Sequence, residues 1–181
     1  MSTEVLNYGA HERKAILLDK LGGRQVLQDA LDDFYNRQLD DPRLVSFFRG
    51  TDMEILKWHQ FNLMGIAFAH VPDNVDLRHL LLVRHKKLFE EQGLSERHFD
   101  IVLEHFQKTL QDRNLDQELM DEVLNVVRPI RDIFQEGARI AAQKKLHEAR
   151  QKQMLNRTTG AVVVLGIVAA LVLRSKSRAS R

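Results

Sequence analysis

Apolar residues that recur at three-and-four spacing constrain this chain more than any other feature. The pattern runs through every long segment. No stretch before the C-terminal tail alternates apolar and polar residues in the two-residue period of a strand. The expectation is an all-α protein. Three prolines and nine glycines in 181 residues fit helices joined by short turns. One helix covers about residues 10–21 and stops at Gly22–Gly23, and a second ends near Asp40, ahead of Pro42. Thr51–Asp52 caps a third that reaches Ala69. After the loop "HVPDNVD" a helix spans about residues 77–91 and breaks at Gly93. Ser95 opens another, to about Asp112. The last long pattern starts near Leu115 and runs through Phe134 toward the C-terminus, with a kink expected at Pro129.

Three of these stripes each contain a polar residue that interrupts the apolar face. Tyr35 follows Leu27, Ala30, Leu31 and Phe34 on one helix. Gln60 shares a face with Leu56, Leu63, Met64 and Ala67. His85 lies in line with Leu77, Leu81 and Leu88. Taken singly, each has an ordinary structural reading: a hydrogen-bonded buried tyrosine, a surface glutamine, a core histidine. Taken together, an imidazole, a phenol and an amide aimed at one apolar space match a heme pocket. There the imidazole binds iron on one side and the other two groups hydrogen-bond a diatomic ligand. Periodicity alone does not decide between these readings. The remaining histidines give less; His98 and His105 lie on a helix whose core face reads Phe99, Val102, Leu103, Phe106 and Leu110.

Composition narrows the chemistry. There is no cysteine, which excludes disulfides, thiolate metal sites and cysteine nucleophiles. Zinc-protease, phosphate-loop and nucleophile-elbow patterns are absent. A net charge of +2 gives no reason to expect a nucleic-acid partner. The N-terminal stretch lacks the apolar run of a secretory signal. The C-terminal "TTGAVVVLGIVAALVL" is uncharged and as a helix spans about 24 Å. That is a short membrane crossing, flanked by Arg157 and Arg174, whose long side chains reach the headgroups. A buried core helix is the competing reading. Between it and the preceding helices, residues 137–157 hold many lysines and arginines against the single acid Glu148. This segment is either a solvated stalk or a basic helix on an anionic surface. The expected organisation is an N-terminal extension (1–17), a helical domain (18–136), a basic juxtamembrane helix (137–157), a transmembrane anchor (158–174) and a basic tail (175–181).

The stretch "LGGRQVLQDALDDFYNRQLDDPRLVSFFRGTDM" resembles the opening of a group I truncated hemoglobin: a glycine pair, Phe-Tyr, "DP", Phe-Phe and "DM". Further on, "HKKLFEEQGLSERHFD" is similar to the family's proximal region. The resemblance covers about residues 18–133 and implies a two-over-two helical globin with one heme b. It carries the proximal iron ligand onto His85 and the distal tyrosine and glutamine onto Tyr35 and Gln60. Phe48 matches the phenylalanine that packs on the heme face, with Phe34 as its neighbour. Leu56 stands where some members have a second glutamine. The resemblance also implies that Leu81 and Phe99 line the heme. His59 stands where a lysine commonly reaches a heme propionate. The family's second glycine pair is missing from "AFAHVPDN", which implies a loop of different shape.

The resemblance implies binding of dioxygen and nitric oxide. Hydrogen bonds from Tyr35 and Gln60 would slow oxygen escape, which shifts weight from delivery to chemistry such as oxidation of nitric oxide to nitrate, with a reductase as partner. The alternative is a tail-anchored helical adaptor that holds a partner helix in an apolar groove without heme. The anchor implies a globin domain facing the cytosol. Its short span and basic tail suit a mitochondrial or plastid outer membrane.

Overall fold

The computed structural model describes residues 17–69 and 75–179, with side chains described as far as residue 155. The expected N-terminal extension and most of the loop after Ala69 lie outside the described residues. The chain divides into two compact units, Met1–Arg139 and Ile140–Arg181.

In the first unit every described element is helical. Residues 17–20 end a helix, and Gly22 and Gly23 turn the chain with φ of 90° and 78°. Both angles favour glycine. A Cβ on Gly22 would also come within 2.8 Å of the Val26 side chain. Helix α1 follows (Gly23–Asp40), then a 3₁₀ turn (Val45–Phe48) and α2 (Met53–Ala69). The Asp52 carboxylate opens α2 by accepting the N–H groups of Glu54 and Ile55, at 3.0 and 3.2 Å. Helix α3 (Leu77–Lys87) is capped by Asp76, which accepts the His79 N–H at 2.9 Å. Helix α4 (Glu96–Asp112) starts from a reciprocal cap between Ser95 and His98. Helix α5 (Gln117–Val127) is capped by Asp116, and α6 covers Ile130–Ala179.

Two local expectations are corrected. The helix read as running to residue 91 is α-helical only to Lys87 and continues as a wider π turn, Leu88–Gln92. Gly93, at φ 73°, closes it, and the Leu94 N–H returns to the Leu88 carbonyl at 3.1 Å. Pro129 ends a helix where a kink was expected. It has no N–H to donate, so the chain passes through on the shorter bonds from Arg131 to Arg128 and from Asp132 to Pro129.

The unit is two helix pairs stacked. Helix α1 packs on α2 and α4, and α5 packs on α2 and α4. Leu27, Leu31, Phe34, Phe68, Leu110 and Val123 are among the residues buried between them. Burial of each large apolar side chain stabilises the fold by about 1.5–3 kcal/mol. Asp41, just past α1, ties that helix end to α4. Its carboxylate accepts the Arg43 backbone N–H and guanidinium, and lies 2.8 Å from Nε2 of His105.

In the second unit, every residue described from 140 to 155 except Ala141 is exposed. Among the described residues no helix is long and apolar enough to cross a membrane. The expected anchor, residues 158–174, is helical in backbone, but its side chains lie outside the described residues.

Candidate functional site

A cavity of about 360 Å³ lies within the first unit, walled by α1, α2, α3, α4 and the first turns of α6. No Asp, Glu, Lys or Arg is among its described lining residues. Tyr35 enters from α1, Gln60 from α2 and His85 from α3. The volume falls in the range of cofactor and ligand sites, and the lining has their usual character: an apolar wall with a few placed polar groups.

His85 is held in one tautomer. Its Nδ1 lies 2.9 Å from the Leu81 carbonyl oxygen. A carbonyl only accepts, so Nδ1 carries the proton and Nε2 keeps its lone pair. Burial lowers the pKa of the ring, opposed in part by that same hydrogen bond. The imidazole is therefore neutral at neutral pH, the form that ligates a metal. Tyr35 is buried, and burial pushes its pKa up. The phenol stays protonated, so it has a hydrogen to donate. Two rings fix its position: Phe48 edge-on at 6.2 Å and Phe34 tilted at 5.3 Å.

Among the described residues no group of three His, Cys, Asp or Glu side chains is placed to hold a metal ion. A cofactor that carries its own metal ligands would need only His85 from the chain. A porphyrin is such a cofactor, and a flat apolar macrocycle is what an uncharged aromatic lining accommodates. The bacterial-like globin family matches residues 16–136. GlbN, a group 1 truncated hemoglobin of Synechocystis, is 37% identical over 110 residues, spanning 61% of this chain and 87% of that protein. The chain belongs to the group 1 truncated hemoglobins. Among solved globins, THB4 of Chlamydomonas reinhardtii is similar at 34% identity and a TM-score of 0.58, over 66% of this chain and 94% of its own. The 2/2 hemoglobin from Synechococcus, solved with covalently attached heme, is 37% identical with a TM-score of 0.56, over 61% and 89%.

Of the residues singled out in this globin's sequence, Phe34, Tyr35, Phe48, Leu56, Gln60, Leu81, His85 and Phe99 all line the one cavity. His59 does not. One position round α2 from Gln60, it is exposed, with its ring 5.0 Å from that of Trp58. The structure adds His98, which sequence reasoning set aside. Its Nδ1 accepts the Ser95 N–H at 3.1 Å, so a neutral ring carries its proton on Nε2. Burial lowers its pKa and favours that neutral form. Its ring meets Phe47 edge-on at 4.8 Å on the cavity lining. The available signal was Ser95 followed three residues later by a side chain able to complete a cap. Phe134 was also missed as a lining residue, because it lies beyond Pro129, on a segment read as one helix leading out of the domain.

Proposed function

We propose that this globin binds heme b through Nε2 of His85, takes dioxygen or nitric oxide on the side of Tyr35 and Gln60, and oxidises nitric oxide to nitrate. The observation that carries the reading is the commitment of His85 Nδ1 to the Leu81 carbonyl, which leaves Nε2 as a ligand on a cavity shared with a protonated phenol and an amide. Heme iron supplies the reversible capture of a diatomic gas and its redox chemistry. The chain supplies the rest. Tyr35 and Gln60 offer hydrogen bonds to negative charge that develops on the ligand, in a cavity whose described lining has no formal charge to compete. Such donors slow ligand escape, which favours chemistry over delivery. Oxidation of nitric oxide draws an electron at each turnover, so a reductase is the implied partner. His98, on the cavity lining, would offer a further N–H, on Nε2, to a polar group of a bound cofactor. The adaptor reading is not favoured, since the globin family spans the helices that would have formed its groove.

For the C-terminus the proposal is an anchor at residues 158–174 that holds the globin on the cytosolic face of a membrane, with the outer membrane of mitochondria or plastids the expected site. Its support is the uncharged run itself and the arginines that flank it. Full-length protein should resist carbonate extraction, and protein ending at Arg157 should be soluble with an unchanged spectrum. For the heme, His85→Ala should abolish or greatly weaken the Soret band of reconstituted protein. Oxygenated parent protein should consume nitric oxide in stoichiometric amounts, and catalytically once a reductase is added. An unaltered spectrum in His85→Ala would remove the assignment.

A further inference from the structure

The proximal side of the cavity is built from rings. Phe134, in the first turns of α6, lies 5.2 Å from the His85 ring at an interplanar angle of 50°. It also meets Phe89 edge-on at 5.7 Å and Phe99 at 5.1 Å. Phe89, in the π turn, stands 6.3 Å from His85. The Leu81 carbonyl fixes where Nδ1 sits, but one hydrogen bond is a hinge about which the imidazole plane can still rock. Flat neighbours stop that motion. Phe134 and Phe89 supply them, and Phe99 backs Phe134.

Gly137 sets how closely the π turn and α6 approach. A Cβ there would overlap the Phe89 ring. The residue is buried within α6, where glycine is a poor helix former. Its φ is not positive, so backbone conformation gives no reason for glycine here; the seat it makes for Phe89 does. One turn of helix links Gly137 to Phe134, so the two face the same ring cluster.

We propose that Phe134 is a positioning residue for His85, and that Gly137 acts on the same ring through Phe89. Together they hold the imidazole plane and so set the strength and direction of the bond that Nε2 makes to iron. The inference rests on the reading of His85 as the iron ligand. The ring contacts of Phe134 run to His85, Phe89 and Phe99, so the expected effect is on the axial bond rather than on the hydrogen bonds of Tyr35 and Gln60.

The test is the iron–histidine stretching band in the resonance Raman spectrum of the ferrous, ligand-free holoprotein. The parent should show one narrow band. Phe134→Leu, which keeps apolar volume but removes the flat ring, should shift or broaden it, and Phe134→Tyr should return it to the parental position. Gly137→Ala should move the same band with heme retained. If Phe134→Leu loses heme, Gly137→Ala carries the test, since the atoms nearest its Cβ are those of the Phe89 ring. Phe61→Leu is the structural control, because Phe61 packs on the core away from the cavity lining. An unmoved band in Phe134→Leu or Gly137→Ala, or an equal change in Phe61→Leu, overturns the proposal. His85→Gly with added imidazole separates the two levels. If that variant without imidazole keeps the parental band, the ligand assignment itself fails. If it loses the band while the Phe134 and Gly137 variants leave theirs unmoved, the positioning role alone fails.

Discussion

The Tyr35 and His85 walls of the cavity, proposed as distal and proximal, are held by different forces. Tyr35 sits on α1, a helix that buries Leu27, Leu31, Phe34 and Gln38 beside it. His85 sits on α3, whose one buried residue is Leu81 and whose Leu80 and Val83 are exposed. Tyr35, the proposed distal donor, is therefore fixed by the hydrophobic core. His85, the proposed proximal ligand, rides on a short helix held by a cap at Asp76, an ion pair from Arg78 to Glu136 and the ring cluster around Phe134. A distal donor must meet a small ligand at a set distance, so a rigid mount suits it. On a lightly buried helix His85 would be free to adjust to a bound group, provided its ring plane is kept.

If the distal wall is held by the core, its packing residues should be the costly ones. Leu31→Ala should destabilise the protein by about 2–5 kcal/mol, the range for a buried leucine that leaves a cavity. Chemical denaturation measures it, and a loss under 1 kcal/mol would break the contrast. Tyr35→Phe removes one hydroxyl and little volume. The lost hydrogen bond to a partly charged ligand is worth about 1.5–3 kcal/mol, or roughly ten- to a hundred-fold faster oxygen dissociation. Gln60→Leu should act in the same direction, and the double variant should be non-additive because both groups serve one ligand. Stopped-flow off-rates unchanged in both single variants would exclude this pocket.

On the proximal side the expected effects are smaller and more local. Asp76→Ala removes the cap of α3 and should reduce stability by about 1 kcal/mol. Hydrogen exchange should rise in α3 first and leave α1 protected. Equal loss of protection in both helices would show that the two walls unfold together.

The narrowest effect, confined to acid pH, concerns the join between α1 and α4. The Arg43 guanidinium and, less strongly, His105 hold the Asp41 carboxyl well below the usual carboxylate range. A depressed folded-state pKa contributes stability that is complete above the unfolded value, about 4, and is lost as pH falls toward the folded one. Asp41→Asn should therefore flatten the acid limb of the stability curve below about pH 4 and leave its slope near neutrality unchanged. Urea unfolding at a series of pH values reads this directly, and an acid limb as steep as the parent's would remove Asp41 from the account.

What local sequence determined here is what periodicity and punctuation carry. A helix repeats every 3.6 residues, so a polar residue inside an apolar stripe is visible without any partner. Tyr35, Gln60 and His85 were all legible for that reason. Gly22–Gly23, Asp52 and Ser95 marked helix ends because caps and left-handed turns are chemistry of neighbouring residues. The tertiary structure decided the rest. His105 meets Asp41 across 64 residues of chain, and no local pattern encodes that distance. His98 became part of the cavity lining only once α4 was placed beside the 3₁₀ turn. His59 stayed on the surface, off the cavity lining, because no other described helix of the unit covers that side of α2 at its position. Phe134 and Gly137 acquired their places around His85 because Pro129 ended α5 and let α6 begin against the π turn. Which faces meet is settled by the packing of whole helices, and that depends on all of them at once.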